Sequence, residues 1–285
     1  MQQKVILSAD STCDLGEALK TRYDVQYFPL HVTIDGRDYI DNVDITPPEI
    51  FAIYRKTGHL PKTSAVNVGE YLEHFEQWTK QGMSVVHINL AASLSSAHKN
   101  ACEAAEQAGN VYVVDSCSLS TGTGLLVLAA AERIADGMPA EQVAAEVQAL
   151  TDKAHASFII DTLEFLKAGG RCSALTALSA SLLKVKPCIE VSNVDGSMSP
   201  GKKYHGKLDK VLLQYVQDKL DEYGDSIDDR RVFITHSGID GELCATVHNY
   251  LTQHSGFKEI HTTIASCTIS AHCGPNTLGI LFMTQ

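Results

Sequence analysis

Ser84-Val85-Val86-His87-Ile88-Asn89-Leu90-Ala91-Ala92-Ser93-Leu94-Ser95-Ser96-Ala97 runs from a strand into a helix through a turn rich in hydroxyls. Residues 84–89 are mostly apolar and partly β-branched, the composition of a buried strand. From residue 93 to residue 108 the apolar positions recur at helical spacing, and Gly109 closes the helix. Val111-Tyr112-Val113-Val114 is the next strand. Strand, helix and strand in close succession form the repeating unit of a mainly parallel sheet with helices on both faces.

The same unit extends in both directions. Residues 5–8 read as a strand, followed by the loop Ala9-Asp10-Ser11-Thr12-Cys13-Asp14 and a helix through Leu19. Residues 25–34 read as one further strand, with Asp35-Gly36 as a turn and residues 37–40 as its hairpin return. Thr46-Pro47-Pro48-Glu49 opens a helix, because Pro suits a first turn and Thr can cap it; Gly58 ends it. Asn67 and Glu70 have the spacing of a capping box ahead of a helix at 71–80. Past the central unit, residues 125–135 are apolar on nearly every side, which predicts a helix buried all round. A helix at 140–154 ends this half.

The second half has a different pattern. A strand at 158–160 and a short helix at 163–168, stopped by Gly169-Gly170, precede an apolar helix at 175–183. A hairpin through Asp195-Gly196, an amphipathic helix at 208–223, a strand at 231–235 and a helix at 242–254 follow. Strands at 259–264 and 278–283 finish the chain. Hairpins mixed with helices give an α+β domain, so the expected architecture is α/β in two domains, 1–155 and 156–285.

Composition limits the function. The 285 residues can bury roughly three quarters of the unfolded surface. With 23 Lys and Arg against 34 Asp and Glu, the net charge of −11 argues against a nucleic-acid partner. The longest apolar run, 125–131, is far short of the ~20 residues that span a bilayer, and no signal core stands at the N-terminus. The expected location is the cytoplasm. Eight scattered cysteines without a Cys-x-x-Cys pair read as buried thiols. Twelve histidines offer no metal-binding spacing, so neither a metal nor a cofactor is expected.

Most motifs have a plain reading. Gly122-Thr123-Gly124 lacks the third glycine of a dinucleotide loop, and its glycines serve close helix packing. The stretch from Gly196 to Lys203 imitates a phosphate loop, but Lys203 stands where a hydroxyl should hold magnesium, leaving a hairpin tip with solvated lysines. No Gly-x-Ser-x-Gly elbow marks a nucleophile. Three segments remain. Lys62-Thr63-Ser64 and Ser93-Leu94-Ser95-Ser96 place hydroxyls ahead of helices, where free N–H groups favour an anion. Ser270-Ala271-His272-Cys273-Gly274-Pro275-Asn276-Thr277 reads as an irregular turn with one imidazole. Hydroxyls, backbone N–H groups and a histidine suit recognition of a carboxylate.

These pieces, together with Ser8-Ala9-Asp10-Ser11-Thr12-Cys13-Asp14-Leu15, Asp115-Ser116 and the run from Asp161-Thr162-Leu163 to Gly169-Gly170-Arg171, give the chain an end-to-end likeness. It resembles the DegV family of bacterial fatty-acid-binding proteins. The resemblance implies two domains with one long-chain fatty acid in a tunnel between them, and a carrier rather than a catalyst. It places the carboxylate at Thr63, Ser95 and His272, with the N–H of Ser96 as a further donor. It also implies an ATP-dependent fatty acid kinase as partner, with Arg171 as a candidate for the surface facing it. From apolar clustering, the tunnel candidates are Leu175, Leu178, Leu182, Leu183, Ile280 and Phe282. Ser96, Ala97 and His98 replace the family's usual Gly, Thr and Tyr, and Ala65-Val66 its Gln-Pro. Competing readings are an acyl or phosphoryl transferase using Ser95 or His272, and a lipid-responsive regulatory module.

Overall fold

The computed structural model describes residues 4–172 and 185–285; the helix expected at 175–183, with Leu175, Leu178, Leu182 and Leu183, lies outside the described residues. The N-terminal half contains strands β1 (Val5–Asp10), β2 (Gln26–Phe28), β3 (His31–Ile34), β4 (Arg37–Ile40), β5 (Lys62–Ser64), β6 (Ser84–Asn89) and β7 (Val111–Asp115). Its helices are α1 (Gly16–Arg22), α2 (Pro47–Thr57), α3 (Val68–Thr79), α4 (Ala97–Ala108), α5 (Thr121–Ala135) and α6 (Ala140–Gln148).

The parallel sheet has the order β2-β1-β6-β7. Alternation sends Ile6 and Val85 to one face, against Tyr71 and Phe75 of α3 and the alanines of α4. Leu7, Val86 and Ile88 point to the other, against α1, α5 and α6.

The strand expected at 25–34 is broken. Pro29 has no N–H for a ladder, and the chain leaves the parallel sheet there. β3, β4 and β5 instead form a three-stranded antiparallel sheet of their own, order β4-β3-β5. Its hairpin turns through Asp35 and Gly36, both at positive φ (52° and 73°), the backbone that a two-residue turn requires. α2 covers this small sheet, packing Ile50 and Phe51 onto Val32 and Ile34.

The C-terminal half contributes β8 (Ala154–Ile159), β9 (Val185–Val191), β10 (Met198–His205), β11 (Ile227–Ser237), β12 (Glu259–Ile264) and β13 (Thr277–Thr284). Its described helices are α7 (Glu164–Gly169), α8 (Leu208–Tyr223), α9 (Gly241–His254) and α10 (Cys267–Cys273). The sheet order is β10-β9-β8-β13-β11-β12, and only the β11–β12 pair is parallel. One face packs on α8 and α9 through Val232, Ile234, Ile280 and Phe282. The other presents Ala156, Phe233, Leu281 and Met283 to α5.

α5 is therefore sandwiched between the two large sheets, which explains why ten of its fifteen residues are buried. The close approach also explains its glycines: a Cβ on Gly124 would stand 2.6 Å from the carbonyl oxygen of Cys13, and one on Gly122 2.2 Å from Ser118 Oγ. Three further expectations are corrected. The helix of 140–154 ends at Gln148, and residues 154–159 are a strand whose Ala154, Ala156 and Phe158 face the N-terminal half. Lys202 and Lys203 lie within β10 rather than at a hairpin tip, with Lys202 paired to Asp218 at 2.6 Å. Residues 267–273 form a helix, so only 274–276 make the expected turn.

Candidate functional site

Thr63 in β5 and His272 in α10 meet across the two halves, Oγ1 to Nε2 at 2.8 Å. They stand on the wall of a cavity of about 120 Å³, together with Ser64, Ser95, Ser96, Arg171, Thr268 and Ile269. The fold thus brings Thr63, Ser95, Ser96, Arg171 and His272 to one place from four separate segments.

Each polar group is set by its local structure. The loop carrying Ser95 and Ser96 begins at Leu90, whose N–H is held by the buried carboxylate of Asp10 at 3.2 Å. That carboxylate also receives Tyr71 Oη (2.7 Å) and Asn89 Nδ2 (3.0 Å), so the loop starts from a fixed point. α4 begins at Ala97, four residues later than the pattern predicts, because residues 93–96 turn first. The hydroxyl of Ser95 accepts the Ala97 N–H at 3.1 Å. As an acceptor it keeps its own proton to donate.

His272 is confined. Its Nδ1 is buried and has no partner among the described residues, and Gly169 lies against it: a Cβ there would be 2.1 Å from Nδ1. The direction of the Thr63–His272 hydrogen bond is set by the ring tautomer. With the ring proton on Nε2, Thr63 Oγ1 accepts it and the hydroxyl proton is free for a cavity ligand. Burial first, and the nearby Arg171 cation second, depress the His272 pKa from 6.5 to about 4, so the ring is neutral at pH 7. Arg171 is exposed, hydrogen-bonded through Nε to Leu94 O (3.2 Å) and through Nη1 to Gly169 O (2.5 Å).

Behind this polar mouth lies a second cavity of about 50 Å³, and Leu119, Met198, Ile269 and His272 line both. It continues past Phe158 and Leu166 to Gly279 and Leu281, between the start of α5 and the C-terminal sheet. Gly279 leaves this floor low; a Cβ would be 2.5 Å from Ser157 O. Ile280 and Phe282, expected on the tunnel wall, are on the opposite face of β13, packed against α8 and α9. Period-two alternation assigns the channel to Gly279 and Leu281 instead.

Cys273, beside His272, is buried, and burial pushes its thiol up to about 12, which removes it as a nucleophile near pH 7. The arrangement is a set of neutral hydrogen-bond donors, with the exposed Arg171 cation on the same wall, at the opening of an apolar channel, which suits an amphiphile with an anionic head.

The model of the DegV family, described as "Uncharacterised protein, DegV family", matches residues 4–285. The chain belongs to the DegV family. Among curated DegV domain-containing proteins, one from Clostridium perfringens is 29% identical, over 99% of this chain and 98% of its own length. Among solved DegV structures, a protein from Thermus thermophilus described as binding fatty acid superposes with a TM-score of 0.89. It is 28% identical and covers 99% of this chain and 100% of its own. A stearic acid-binding protein from Eubacterium ventriosum gives a TM-score of 0.81 at 26% identity, covering 99% and 98%.

Within this DegV fold, sequence reading missed Leu119, Met198 and Ile269, which line both cavities. Leu119 and Ile269 come from a loop and a very short helix, where no periodicity marks a wall. Gly169 was legible only as a helix stop. The doubled Gly169-Gly170 was the available signal, since one glycine suffices for the left-handed cap at Gly170 (φ 68°). No described helix is long and apolar enough to cross a membrane.

Proposed function

We propose that this protein binds one long-chain fatty acid, with its carboxylate in the mouth and its tail in the channel between α5 and the C-terminal sheet. The observation that carries this reading is the Thr63–His272 pair at the opening of that channel. Thr63 Oγ1, Ser95 Oγ and the Ser96 N–H are the donors to the carboxylate, and His272 supports Thr63 from behind. The fatty-acid-binding descriptions of the DegV relatives from Thermus thermophilus and Eubacterium ventriosum support the choice of ligand.

A dozen buried methylenes at ~0.8 kcal/mol each supply about 10 kcal/mol, so the tail provides affinity and the mouth provides orientation. Neutral donors hold the head less tightly than a buried bidentate arginine would, leaving a carboxylate oxygen available for transfer. The role we assign is therefore a carrier that presents the carboxylate to an ATP-dependent fatty acid kinase, with exposed Arg171 on the surface facing that partner. Among the described residues, no imidazole or carboxylate is hydrogen-bonded to Ser95 Oγ to activate it, which favours a carrier over a transferase.

Native mass spectrometry of the purified protein, followed by solvent extraction, tests this. A near-stoichiometric fatty acid is the expected result. A protein that is empty and takes up no added fatty acid would overturn it.

A further inference from the structure

The mouth depends on α10, a helix of seven residues that supplies Thr268, Ile269 and His272. A helix this short has little stability of its own and takes its position from what holds its ends. At the C-terminal end, His272 meets Thr63 of β5. At the N-terminal end, two buried aspartates, whose carboxyl pKa values burial raises above their ordinary range (Asp14 to about 8), take the first free N–H groups: Asp14 Oδ1 accepts from Ser266 at 2.9 Å, and Asp41 Oδ1 from Cys267 at 2.8 Å.

Asp41 immediately follows β4, so it belongs to the same small sheet as Thr63. Its backbone N–H bonds Leu30 O at 2.9 Å, and its second oxygen accepts Ser11 Oγ at 2.9 Å. It is 1% exposed. Cys267 packs into the core of that small sheet with Val32, Ile34 and Phe51, and its thiol reaches Ile45 O at 3.1 Å. One unit, the small antiparallel sheet, therefore grips α10 at both ends.

We infer that Asp41 is a positioning residue for His272: by holding the N-terminus of α10 it sets where the imidazole meets Thr63 and keeps the ring in its dry place beside Gly169. This rests on the fatty-acid reading for its functional consequence, but its geometric claim does not. Asp14 shares the load, being tied also to Ser120 Oγ at 2.6 Å. Asp41 is the more telling of the two because it directly follows β4, in the same three-stranded sheet as the β5 of Thr63.

The test follows the His272 ring by NMR in the lipid-stripped protein, beside fatty-acid release from the loaded protein. In Asp41→Ala, α10 loses one anchor; the ring titration should rise from about 4 toward 6.5, by about one pH unit. Fatty-acid release should quicken about tenfold. Asp41→Asn keeps an oxygen for the Cys267 N–H and should restore both values. Tyr215→Phe removes a buried hydrogen bond to Ser157 on the far face of the sheet and should lower the melting temperature without moving the His272 titration. A folded Asp41→Ala protein that titrates as the parent does and releases lipid at the same rate would overturn the assignment. If Asp41→Ala does not fold, Ser11→Ala frees the other carboxylate oxygen and decides in the same way, an upward shift supporting the role and no shift ending it. A protein that takes up no fatty acid ends the function reading alone, since the titration still decides Asp41.

Discussion

Gly169 lies against the imidazole of His272 so closely that a Cβ would stand 2.1 Å from Nδ1 and 2.9 Å from Cε1. The position is helical, without positive φ, so backbone freedom is not what requires glycine there. Gly169→Ala therefore separates two effects of opposite sign. Helix propensity alone would stabilise the protein by up to about 1 kcal/mol. Contact with the ring must instead displace His272 from Thr63. The expected outcome is a lower melting temperature and at least tenfold weaker fatty-acid retention; a stabilised variant with full retention would show that the ring has room to move.

The dry setting of His272 makes a prediction about pH. Its native pKa, about 4, is below the ordinary 6.5, so between these values the unfolded chain binds a proton that the native protein refuses. Stability from this group is present above pH 6.5 and is lost as the pH falls toward 4, by up to about 3 kcal/mol. His272→Asn should show a shallower acid-side decline in denaturant titrations run across that range. The second cause can be tested separately. Arg171→Ala removes the neighbouring cation and should raise the ring's titration midpoint while leaving it below 6.5, because burial is the larger cause.

Thr63 carries the hydroxyl that links ring to ligand. Thr63→Val keeps the shape and removes the oxygen, leaving Nε2 buried beside a methyl group. The expected cost is about 1–3 kcal/mol of stability, with a loss of fatty-acid affinity on top. Thr63→Ser keeps the oxygen and should retain most of both. Equal behaviour of the two variants in thermal melts and lipid-release assays would remove Thr63 from the head-group site.

The strand–helix units of the first half were legible because each has its own period and its own cap, as the Asn67–Glu70 capping box illustrates (3.0 Å from Glu70 N to Asn67 Oδ1). The mouth residues were legible because hydroxyls and a histidine stand next to turns, in segments that also match a family. Two features were hidden for physical reasons. Cys267-Thr268-Ile269-Ser270-Ala271-His272-Cys273 has only one strong helix former, Ala271; Ser266 caps it locally, accepting the Ile269 N–H at 3.4 Å, and aspartates more than two hundred residues away hold the N–H groups of Ser266 and Cys267. The serine cap was a local signal; the two distant anchors were not. In β13, both faces are apolar because both are covered, one by α5 and one by α8 and α9. Alternation then fixes which residues share a face, but not which face borders a cavity.

That ambiguity in β13 yields the sharpest test of the channel. Leu281 faces the cavity behind the mouth, whereas Ile280, its neighbour, is buried 1% exposed on the other side. Leu281→Phe adds bulk to a cavity of about 50 Å³ and should shift the co-purified fatty acids toward shorter chains, at an overpacking cost of about 1–3 kcal/mol. Ile280→Val removes a methylene from the core against α8 and α9; it should cost about 0.5–1.5 kcal/mol and leave the lipid profile unchanged. Extraction and mass spectrometry of both proteins after growth on the same fatty-acid mixture gives the comparison. A profile that responds to Ile280 and ignores Leu281 would put the tail on the other face of the sheet, where the helices α8 and α9 would have to part to admit it.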